Sequence, residues 1–160
     1  MTVKRLRPSP SAEQLAEMYA APHDHRLWGQ GHQDRVDATV ELALVHLRDD
    51  RAAIADLSAG NGEIARRIAT PPSTFHLGDI AVLDADLPDP KWCGPIDETI
   101  HLIPPVDVFV CSETIEHLDD PGKVLALIRT KAEQLVLSTP LDCWDDENPE
   151  HLWAWDQVGV

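Results

Sequence analysis

The stretch from Ile54 to Gly62, with the sequence IADLSAGNG, constrains the fold of this chain more than any other segment. Apolar residues from Ala52 to Leu57 predict a short strand, and a helix-like segment, Glu63 to Ala69, follows directly. Gly60 and Gly62 let the backbone turn sharply and approach a ligand, while the unpaired N–H groups of the new helix face the same point. The segment therefore predicts a strand, a glycine turn and a helix that together hold a nucleotide-like or carboxylate-bearing small molecule.

A second strand is predicted from Phe75 to Ile80, and it carries an acid, Asp79, at its end. Asp79 lies 19 residues after Gly60, close to the ~20-residue spacing at which a carboxylate binds ribose in nucleotide-binding α/β folds. Judged by spacing alone, an ordinary turn aspartate explains Asp79 nearly as well. We interpret the glycine turn and Asp79, with Ile80 beside it, as a nucleoside site.

Composition limits the class of protein. With 160 residues, 43% of them hydrophobic, the chain is long enough for one α/β domain with a real core. Its 13 basic and 28 acidic residues give a net charge of −15, so the surface repels phosphate and nucleic acid is an unfavourable partner. Three widely spaced cysteines argue against a disulfide framework or a zinc site. We see no signal peptide or membrane span, and we expect a cytoplasmic protein by default.

The N-terminal part is predicted to contain two helices. Residues 1–10 are expected to form a loose tail, and Ser11 with Gln14 fits a capping box that starts the first helix. The second helix should pack beside the first strand through an apolar stripe formed by Val36, Val40, Leu44 and Leu47. Between the helices lie His23, His25 and His32, which have metal-ligand chemistry but no regular spacing. We therefore expect them to be loop residues, some of which line the site.

The second half continues the alternation of strands and helices. Residues 81–105 hold five prolines, so we expect only one short helix there, carried by Ile96, Ile100 and Ile103. The apolar run Val106 to Cys111 is typical of a strand buried on both faces. A helix capped by Asp120 and a last strand, Gln134 to Ser138, should follow.

The motif Glu113-x-x-Glu116-His117 directly follows the predicted strand that ends at Cys111. If the chain is helical here, offsets of three and four residues place both later side chains beside Glu113. Two carboxylates and an imidazole at the carboxyl edge of a parallel sheet suit Mg²⁺ or Mn²⁺. His151 could supply a fourth ligand if the last loop folds back over the site. Alternatively, without any metal, the acid caps the next helix and the histidine packs on the final loop.

The tail from Leu141 to Asp156 is acidic and contains three tryptophans. One interpretation makes it a flap on which an acceptor ring stacks. The other makes the tryptophans anchors in the core, and for Trp153 and Trp155 we favour this second interpretation.

The pattern of motifs over residues 50 to 156 resembles the class I S-adenosylmethionine (SAM)-dependent methyltransferases. The residues that carry the resemblance are Asp56-x-Ser58-x-Gly60-x-Gly62, Asp79, the motif Glu113 to His117, and the strand that ends in Ser138-Thr139-Pro140. The resemblance implies that Asp56, Ser58, Gly60, Gly62, Asp79, Ile80 and Glu113 contact SAM. Ser58 departs from the pattern, because the family has a glycine at that position.

The N-terminal part is similar to the helical lid that many of these enzymes fold over the cofactor. By this resemblance, Trp28 or Arg35 would meet the methionine end of SAM, with Arg35 binding its carboxylate.

The Glu113-x-x-Glu116-His117 motif is also similar to that of two metal-dependent O-methyltransferase groups, the small-RNA 2′-O-methyltransferases and the ubiquinone-pathway enzymes. This likeness implies that Glu113, Glu116, His117 and His151 hold a divalent ion, with His117 and His151 taking part in catalysis at the acceptor. The ion would act as a Lewis acid and a template.

We thus expect a Rossmann-like α/β fold, a mostly parallel sheet flanked by helices, with an N-terminal helical lid and an abbreviated C-terminus. One compact domain should comprise residues 1–48 (tail and lid), 49–140 (SAM-binding core) and 141–160 (acceptor-side loop). The expected function is SAM-dependent O-methylation of a small molecule rather than RNA, in a possible homo-oligomer. Two alternatives stay open: a non-catalytic binding or assembly module with this fold, and an NAD-binding protein.

Overall fold

The computed structural model describes residues 2–20, 29–47, 51–69 and 72–156 of the chain. Within them, the main architecture is a five-stranded parallel sheet with helices on both faces. The strands are β1 (Val3–Arg5), β2 (Ala53–Asp56), β3 (Thr74–Asp79), β4 (Lys91–Cys93), β5 (Val106–Ser112), β6 (Ala132–Ser138) and β7 (Trp153–Trp155). The helices are α1 (Ala12–Met18), α2 (Gln30–His46), α3 (Glu63–Ile68), α4 (Ile96–Thr99) and α5 (Pro121–Lys131), with a 3₁₀ turn at Ile115–His117.

The order of strands in the large sheet is β4-β3-β2-β5-β6, and every neighbouring pair is parallel. The chain therefore moves outward from β2 through β3 to β4, and then crosses to the other side of β2 to continue as β5 and β6. Such a reversal leaves a crevice at the carboxyl ends of the two central strands, where open α/β sheets bind ligands. In this chain the crevice lies between the ends of β2 and β5.

Successive residues of the central strands point to opposite faces of the sheet. Ile54 and Val108 pack in one apolar cluster with residues of α2 and α3, while Ala55 and Phe109 pack in a second cluster with residues of α4 and α5. The prediction that Val106 to Cys111 is a strand buried on both faces is confirmed, because only Asp107 within this stretch is exposed.

Both predicted caps are present. The side chain of Ser11 accepts a hydrogen bond from the backbone N–H of Gln14, and the side chain of Gln14 accepts one from the N–H of Ser11, which completes the capping box of α1. Asp120 accepts a hydrogen bond from the N–H of Lys123 at the start of α5. These caps could be predicted because they need only residues that are neighbours in sequence.

The expectation of a loose tail over residues 1–10 is wrong. Val3 to Arg5 form β1, which pairs antiparallel with β7 in a separate two-stranded sheet, so that Val3 faces Trp155 and Arg5 faces Trp153. The guanidinium of Arg5 also lies over the Trp153 ring, 5.1 Å from its centre. Cation–π contact and strand pairing together hold the start of the chain on its final loop.

Two further predictions need correction. Residues 81–105 contain the strand β4 as well as the expected helix α4, because three residues between the prolines suffice to pair with the edge of β3. In α2, Leu44 is 45% exposed and Ala43 is buried in its place, next to Val36 and Val40. The other predicted residues, Val36, Val40 and Leu47, do pack in the core, so the prediction is wrong only at Leu44, whose place is taken by the smaller side chain of Ala43.

No helix within the described residues is long and apolar enough to cross a membrane.

Candidate functional site

The glycine turn after β2 has the geometry that its sequence predicts. Gly60 and Gly62 both adopt left-handed backbone conformations, with φ of 54° and 74°. Asp79, at the end of β3, accepts hydrogen bonds from the backbone N–H of Gly60 at 2.8 Å and of Ala81 at 2.9 Å, one to each carboxylate oxygen. Ile80 follows Asp79 with a half-buried side chain. The predicted pair of turn and acid is therefore in direct contact.

Ser58, the residue that departs from the family pattern, fits the turn without strain. The two non-glycine residues with positive φ in the described part of the chain are Glu113 and Asp142, so Ser58 has an ordinary backbone conformation. Its N–H donates to Asp56, and its hydroxyl accepts a 2.7 Å hydrogen bond from Thr114. A serine here thus joins the carboxyl ends of β2 and β5 across the crevice.

A small cleft opens beside this turn and has an acidic lining. Its walls are formed by Val36, Asp56, Ser58, Ala59, Glu63, Ile64 and Ser112. Burial raises the pKa of Asp56 to about 7, and the nearby charge of Asp79 adds to this effect. The Oε2 atom of Glu63 is also buried and makes no hydrogen bond to any described residue. A cationic group of a ligand would find two acids here.

Arg35 reaches the same crevice from α2. Its guanidinium donates a hydrogen bond of 2.5 Å to the hydroxyl of Ser112 and lies 3.7 Å from the carboxylate of Glu113. It also contacts the ring of His32, at 2.9 Å. The predicted carboxylate-binding arginine therefore lies at the carboxyl end of β5. Trp28, His23 and His25 fall outside the described residues.

The chain is not α-helical at Glu113, which corrects the premise that the Glu113-x-x-Glu116-His117 motif lies on one helical face. Glu113 has a positive φ of 49°, and only the 3₁₀ turn Ile115–His117 follows. The Glu113 carboxylate lies 3.7 Å from the guanidinium of Arg35. Burial raises the pKa of the Glu113 carboxyl, while the Arg35 charge opposes the rise.

Glu116, His117 and His151 form a compact group in which one potential ligand atom from each lies within 4.8 Å of the others. The side chain of Glu116 is only 1% exposed. Its Oε2 accepts a hydrogen bond from Thr139 at 3.0 Å, whereas its Oε1 makes none to any described residue and lies 3.8 Å from Nε2 of His117. Burial, with the neighbouring charge of Glu113, raises the pKa of Glu116 to about 8. The final loop folds back and brings His151 next to Glu116 and His117, as the prediction of His151 as a fourth ligand required.

The Nδ1 atoms of both histidine rings lie close to oxygen atoms of other residues. Nδ1 of His117 lies 3.4 Å from the hydroxyl of Tyr19 and 3.9 Å from the carboxylate of Glu150. Nδ1 of His151 lies 2.6 Å from Asp146. Burial and the Glu150 charge raise the pKa of Tyr19, so its hydroxyl keeps its proton.

The residues of this group are compatible with a divalent ion. Glu116 offers a buried oxygen without a hydrogen bond, and two imidazoles stand within reach of it. A carboxylate with two imidazoles suits Mn²⁺ or another transition ion better than Mg²⁺, which prefers oxygen ligands alone. Glu113, the remaining ligand predicted from the sequence, is not in this group.

Sequence reasoning missed the residues that surround the group: Tyr19, Thr139, Asp146 and Glu150. Asp146 and Glu150 lie in an acidic run in which no spacing distinguishes one acid from another. Tyr19 did carry a usable signal, because it is the single tyrosine of the chain and ends the helix α1.

Comparisons with known proteins give similarity in structure but not in sequence. No family model matches the chain, and a search of curated proteins finds no match either. Among solved structures, the [4+2]-cyclase SpnF is similar with a TM-score of 0.66 and 13% identity, covering 93% of this chain and 69% of that one.

Two other structures are similar over most of the chain. One is a Bacillus halodurans C-125 protein classed provisionally as a methyltransferase, with a TM-score of 0.58, 14% identity, and coverage of 76% of this chain and 64% of that one. The other is the N-terminal domain of EvdMO1, crystallised in the presence of SAH and D-fucose, with a TM-score of 0.54, 14% identity, and coverage of 82% and 71%. This chain thus spans roughly two thirds of these structures' length. It has the Rossmann-like fold of methyltransferase structures, with a central parallel sheet of five strands.

Proposed function

We propose that the chain is a SAM-dependent methyltransferase that transfers a methyl group to an oxygen of a small molecule. The observation that carries the proposal is the meeting of two features at one edge of the sheet. One is the glycine turn held by Asp79, and the other is the buried carboxylate of Glu116 with its two imidazoles. We interpret the first feature as a nucleoside site and the second as an acceptor site.

The cofactor would be held by the crevice residues around the turn. Asp79 and Ile80 would contact the nucleoside, and Asp56, Ser58, Gly60 and Gly62 would shape the turn against which it lies. Arg35 is placed to bind the carboxylate of the methionine moiety as a charge-assisted pair. The acidic lining of the cleft complements the ammonium and sulfonium charges. Glu113, in contact with Arg35, would keep that guanidinium oriented.

The acceptor would bind at the group of Glu116, His117 and His151. These three side chains would hold Mn²⁺ or a related ion, which when bound lowers the pKa of an acceptor hydroxyl. With the ion bound, His117 and His151 would hold it beside the acceptor oxygen; without an ion, one of these imidazoles would instead accept the proton of that oxygen. Methyl transfer then depends mainly on bringing the deprotonated oxygen close to the sulfonium in line with the methyl group.

A small acceptor is favoured over RNA by the charge around the site. Asp146 and Glu150 flank the histidines, and the whole chain carries a net charge of −15. These negative charges would repel the phosphate groups of an RNA bound at the histidines. We continue to expect cytoplasmic location and homo-oligomer formation only as predictions from the sequence.

The similarity to a [4+2]-cyclase favours one alternative, a protein that keeps this fold without methylating anything. Because that neighbour is itself a catalyst, the similarity supports only the absence of methylation; the alternative predicted from the sequence is a binding or assembly module, with or without SAM in the crevice. Turnover distinguishes the two, because a module converts no SAM.

The experiment is a calorimetric titration of the protein with S-adenosylhomocysteine (SAH), with and without Mn²⁺, followed by turnover of SAM with a panel of hydroxylated acceptors. We expect SAH binding in the micromolar range and a separate heat of Mn²⁺ binding. Glu116→Gln should abolish the Mn²⁺ heat and spare SAH binding. Glu147→Gln, an exposed acid of the same region, is the matched control and should change neither.

Each outcome bears on a different part of the proposal. Absence of SAH binding would contradict the cofactor assignment and leave the binding module as the better description. SAH binding without turnover of any acceptor would favour the module as well. Turnover that survives both EDTA and Glu116→Gln would contradict the metal assignment and leave the methyltransferase assignment in place.

A further inference from the structure

The pairing of Asp146 with His151 leads to an inference that rests on the proposed function and deepens it. Nδ1 of His151 lies 2.6 Å from Oδ2 of Asp146, and both side chains are 15% exposed. The other oxygen of Asp146 accepts a hydrogen bond from the backbone N–H of Asn148 at 2.7 Å. Both oxygens of the carboxylate are therefore engaged, and its position is fixed by the loop itself.

The loop is held in turn by Arg7, from the N-terminal segment. One guanidinium nitrogen of Arg7 donates to the backbone carbonyl of His151 at 2.7 Å, and the other donates to that of Asp146. A single rigid, planar group thus sets the spacing between the two residues of the pair. The backbone N–H of His151 also donates to the carbonyl of Asn148 at 3.1 Å, which closes the turn.

The consequence concerns the proton of the imidazole. A neutral imidazole carries one hydrogen, and the nitrogen that faces a carboxylate must be the one that donates it. Asp146 therefore places the hydrogen of His151 on Nδ1 and leaves Nε2 with its lone pair. An imidazole can accept a proton or bind a metal only through such a lone pair.

We propose that Asp146 is a positioning residue that selects the Nδ1–H form of His151, so that the Nε2 lone pair is available to the group formed with Glu116 and His117. Arg7 holds the carboxylate of Asp146 and the ring of His151 at hydrogen-bonding distance, through its bonds to the backbone of both residues. This role applies whether His151 binds a metal ion or takes a proton from the acceptor.

The variant Asp146→Asn makes a sharp test because its amide has one oxygen. The N–H of Asn148 is a fixed donor and claims that oxygen, so the NH₂ group must face His151. Nδ1 of His151 must then accept, which moves the ring hydrogen to Nε2. The variant should therefore reverse the tautomer rather than merely loosen the loop.

The measurement is ¹⁵N NMR of the histidine side chains at pH 8, with the His151 signals identified by their loss in His151→Gln. In the unsubstituted protein we expect the Nδ1–H form, and in Asp146→Asn the Nε2–H form. Mn²⁺ affinity, followed by electron paramagnetic resonance, should fall about 10- to 100-fold in Asp146→Asn. SAH affinity should stay the same. Asp145→Asn, an exposed neighbour, is the control and should leave all three unchanged.

An Nε2–H form in the unsubstituted protein would overturn the proposal by itself, even if Asp146→Asn failed to fold. An unchanged tautomer in a folded Asp146→Asn would overturn it as well. If the unsubstituted protein bound neither Mn²⁺ nor SAH, the proposed function would fail, while the tautomer measurement would still decide the role of Asp146.

Discussion

The carboxylate of Asp79 accepts a 2.8 Å hydrogen bond from the backbone N–H of Gly60, so the end of β3 holds the turn that follows β2. Asp79 itself is buried. The bond places a negative charge beside Gly60. The left-handed backbone of Gly60 would strain most other residues at this position. One acid therefore both shapes the turn and would contact the ribose of the proposed cofactor.

Replacement of Asp79 by alanine should weaken SAH binding and destabilise the turn together. The substitution leaves the Gly60 and Ala81 N–H groups without their acceptor and removes a charged partner of the ribose. We expect a loss of about 1.5 to 3 kcal/mol in binding free energy, roughly a 10- to 150-fold weaker affinity. Calorimetry with SAH measures it. Glu98→Ala, in an exposed position of α4, serves as the control, and an unchanged affinity in Asp79→Ala would refute the assignment.

Gly62→Ala should be costly for two separate reasons. Gly62 has a φ of 74°, and an added Cβ would lie 2.4 Å from a terminal carbon of Leu87. Backbone strain and overpacking together should lower the free energy of unfolding by about 2 to 4 kcal/mol. Gly31→Ala in α2, where a Cβ would meet nothing within 4 Å, should be neutral or stabilising.

A double-mutant cycle with Leu87→Ala separates these two costs of Gly62→Ala, with urea unfolding as the measurement. In the Leu87→Ala background, Gly62→Ala should no longer cost the free energy of overpacking. Only the cost of backbone strain, about 1 to 2 kcal/mol, should remain. A cycle with no coupling between positions 62 and 87 would contradict the predicted clash.

The buried acid Asp56 should make stability depend on pH. Because its pKa is raised to about 7 in the folded state from about 4 in the unfolded chain, the folded protein binds the extra proton between these values. The stabilisation that this proton gives to the folded state is fully present below pH 4 and is lost as the pH rises through 7. The loss in unfolding free energy is up to about 4 kcal/mol. Burial lowers the pKa of His76, and this shift makes stability fall as the pH is lowered, which is the opposite direction.

Asp56→Asn isolates the contribution of Asp56 to this pH dependence. The amide can still accept the hydrogen bond from Ser58, so the turn is kept while the ionisable group is removed. The difference in unfolding free energy between the variant and the unsubstituted protein, measured from pH 4 to pH 8, should grow in favour of the variant. The His76 effect is common to both proteins and cancels. A difference that stays constant with pH would show that Asp56 titrates normally.

Arg7→Ala should release the final loop. Two hydrogen bonds from a half-buried guanidinium to the backbone of residues 146 and 151 are lost, which should cost about 1 to 3 kcal/mol in unfolding free energy. Mn²⁺ affinity should fall because His151 is no longer held, whereas SAH affinity should change little. Arg129→Ala, an exposed site on α5, is the control. Equal effects on Mn²⁺ and SAH binding would indicate a general loss of structure instead.

The sequence predicted well what depends on neighbouring residues. The glycine turn, the caps at Ser11 and Asp120 and the strands β2, β3, β5 and β6 could all be inferred from local pattern. The strand β1 could not, because its partner lies about 150 residues further on and nothing in Val3 to Arg5 identifies it. The left-handed backbone at Glu113 was equally hidden, since non-glycine residues rarely adopt it.

The candidate site shows the same division. The motif residues Glu116 and His117 and the loop residue His151 were named from the sequence and lie together. Their supports, Asp146 and Arg7, depend on contacts between distant segments. No periodicity in the sequence reports such a contact, so the group that orients His151 emerged only from the structure.

The pairing of β1 with β7 affects the order in which parts of the protein fold. It joins Val3 to Trp155, and closing so long a stretch of chain is entropically late among folding events. The turn around Gly60 needs only the contiguous segment that ends near Asp79 and can form much sooner. The glycine turn and the final loop that leads into β7 would thus be completed at different times. The amides of β1 and β7, which depend on three residue pairs, should then be among the first to exchange with solvent in the native protein.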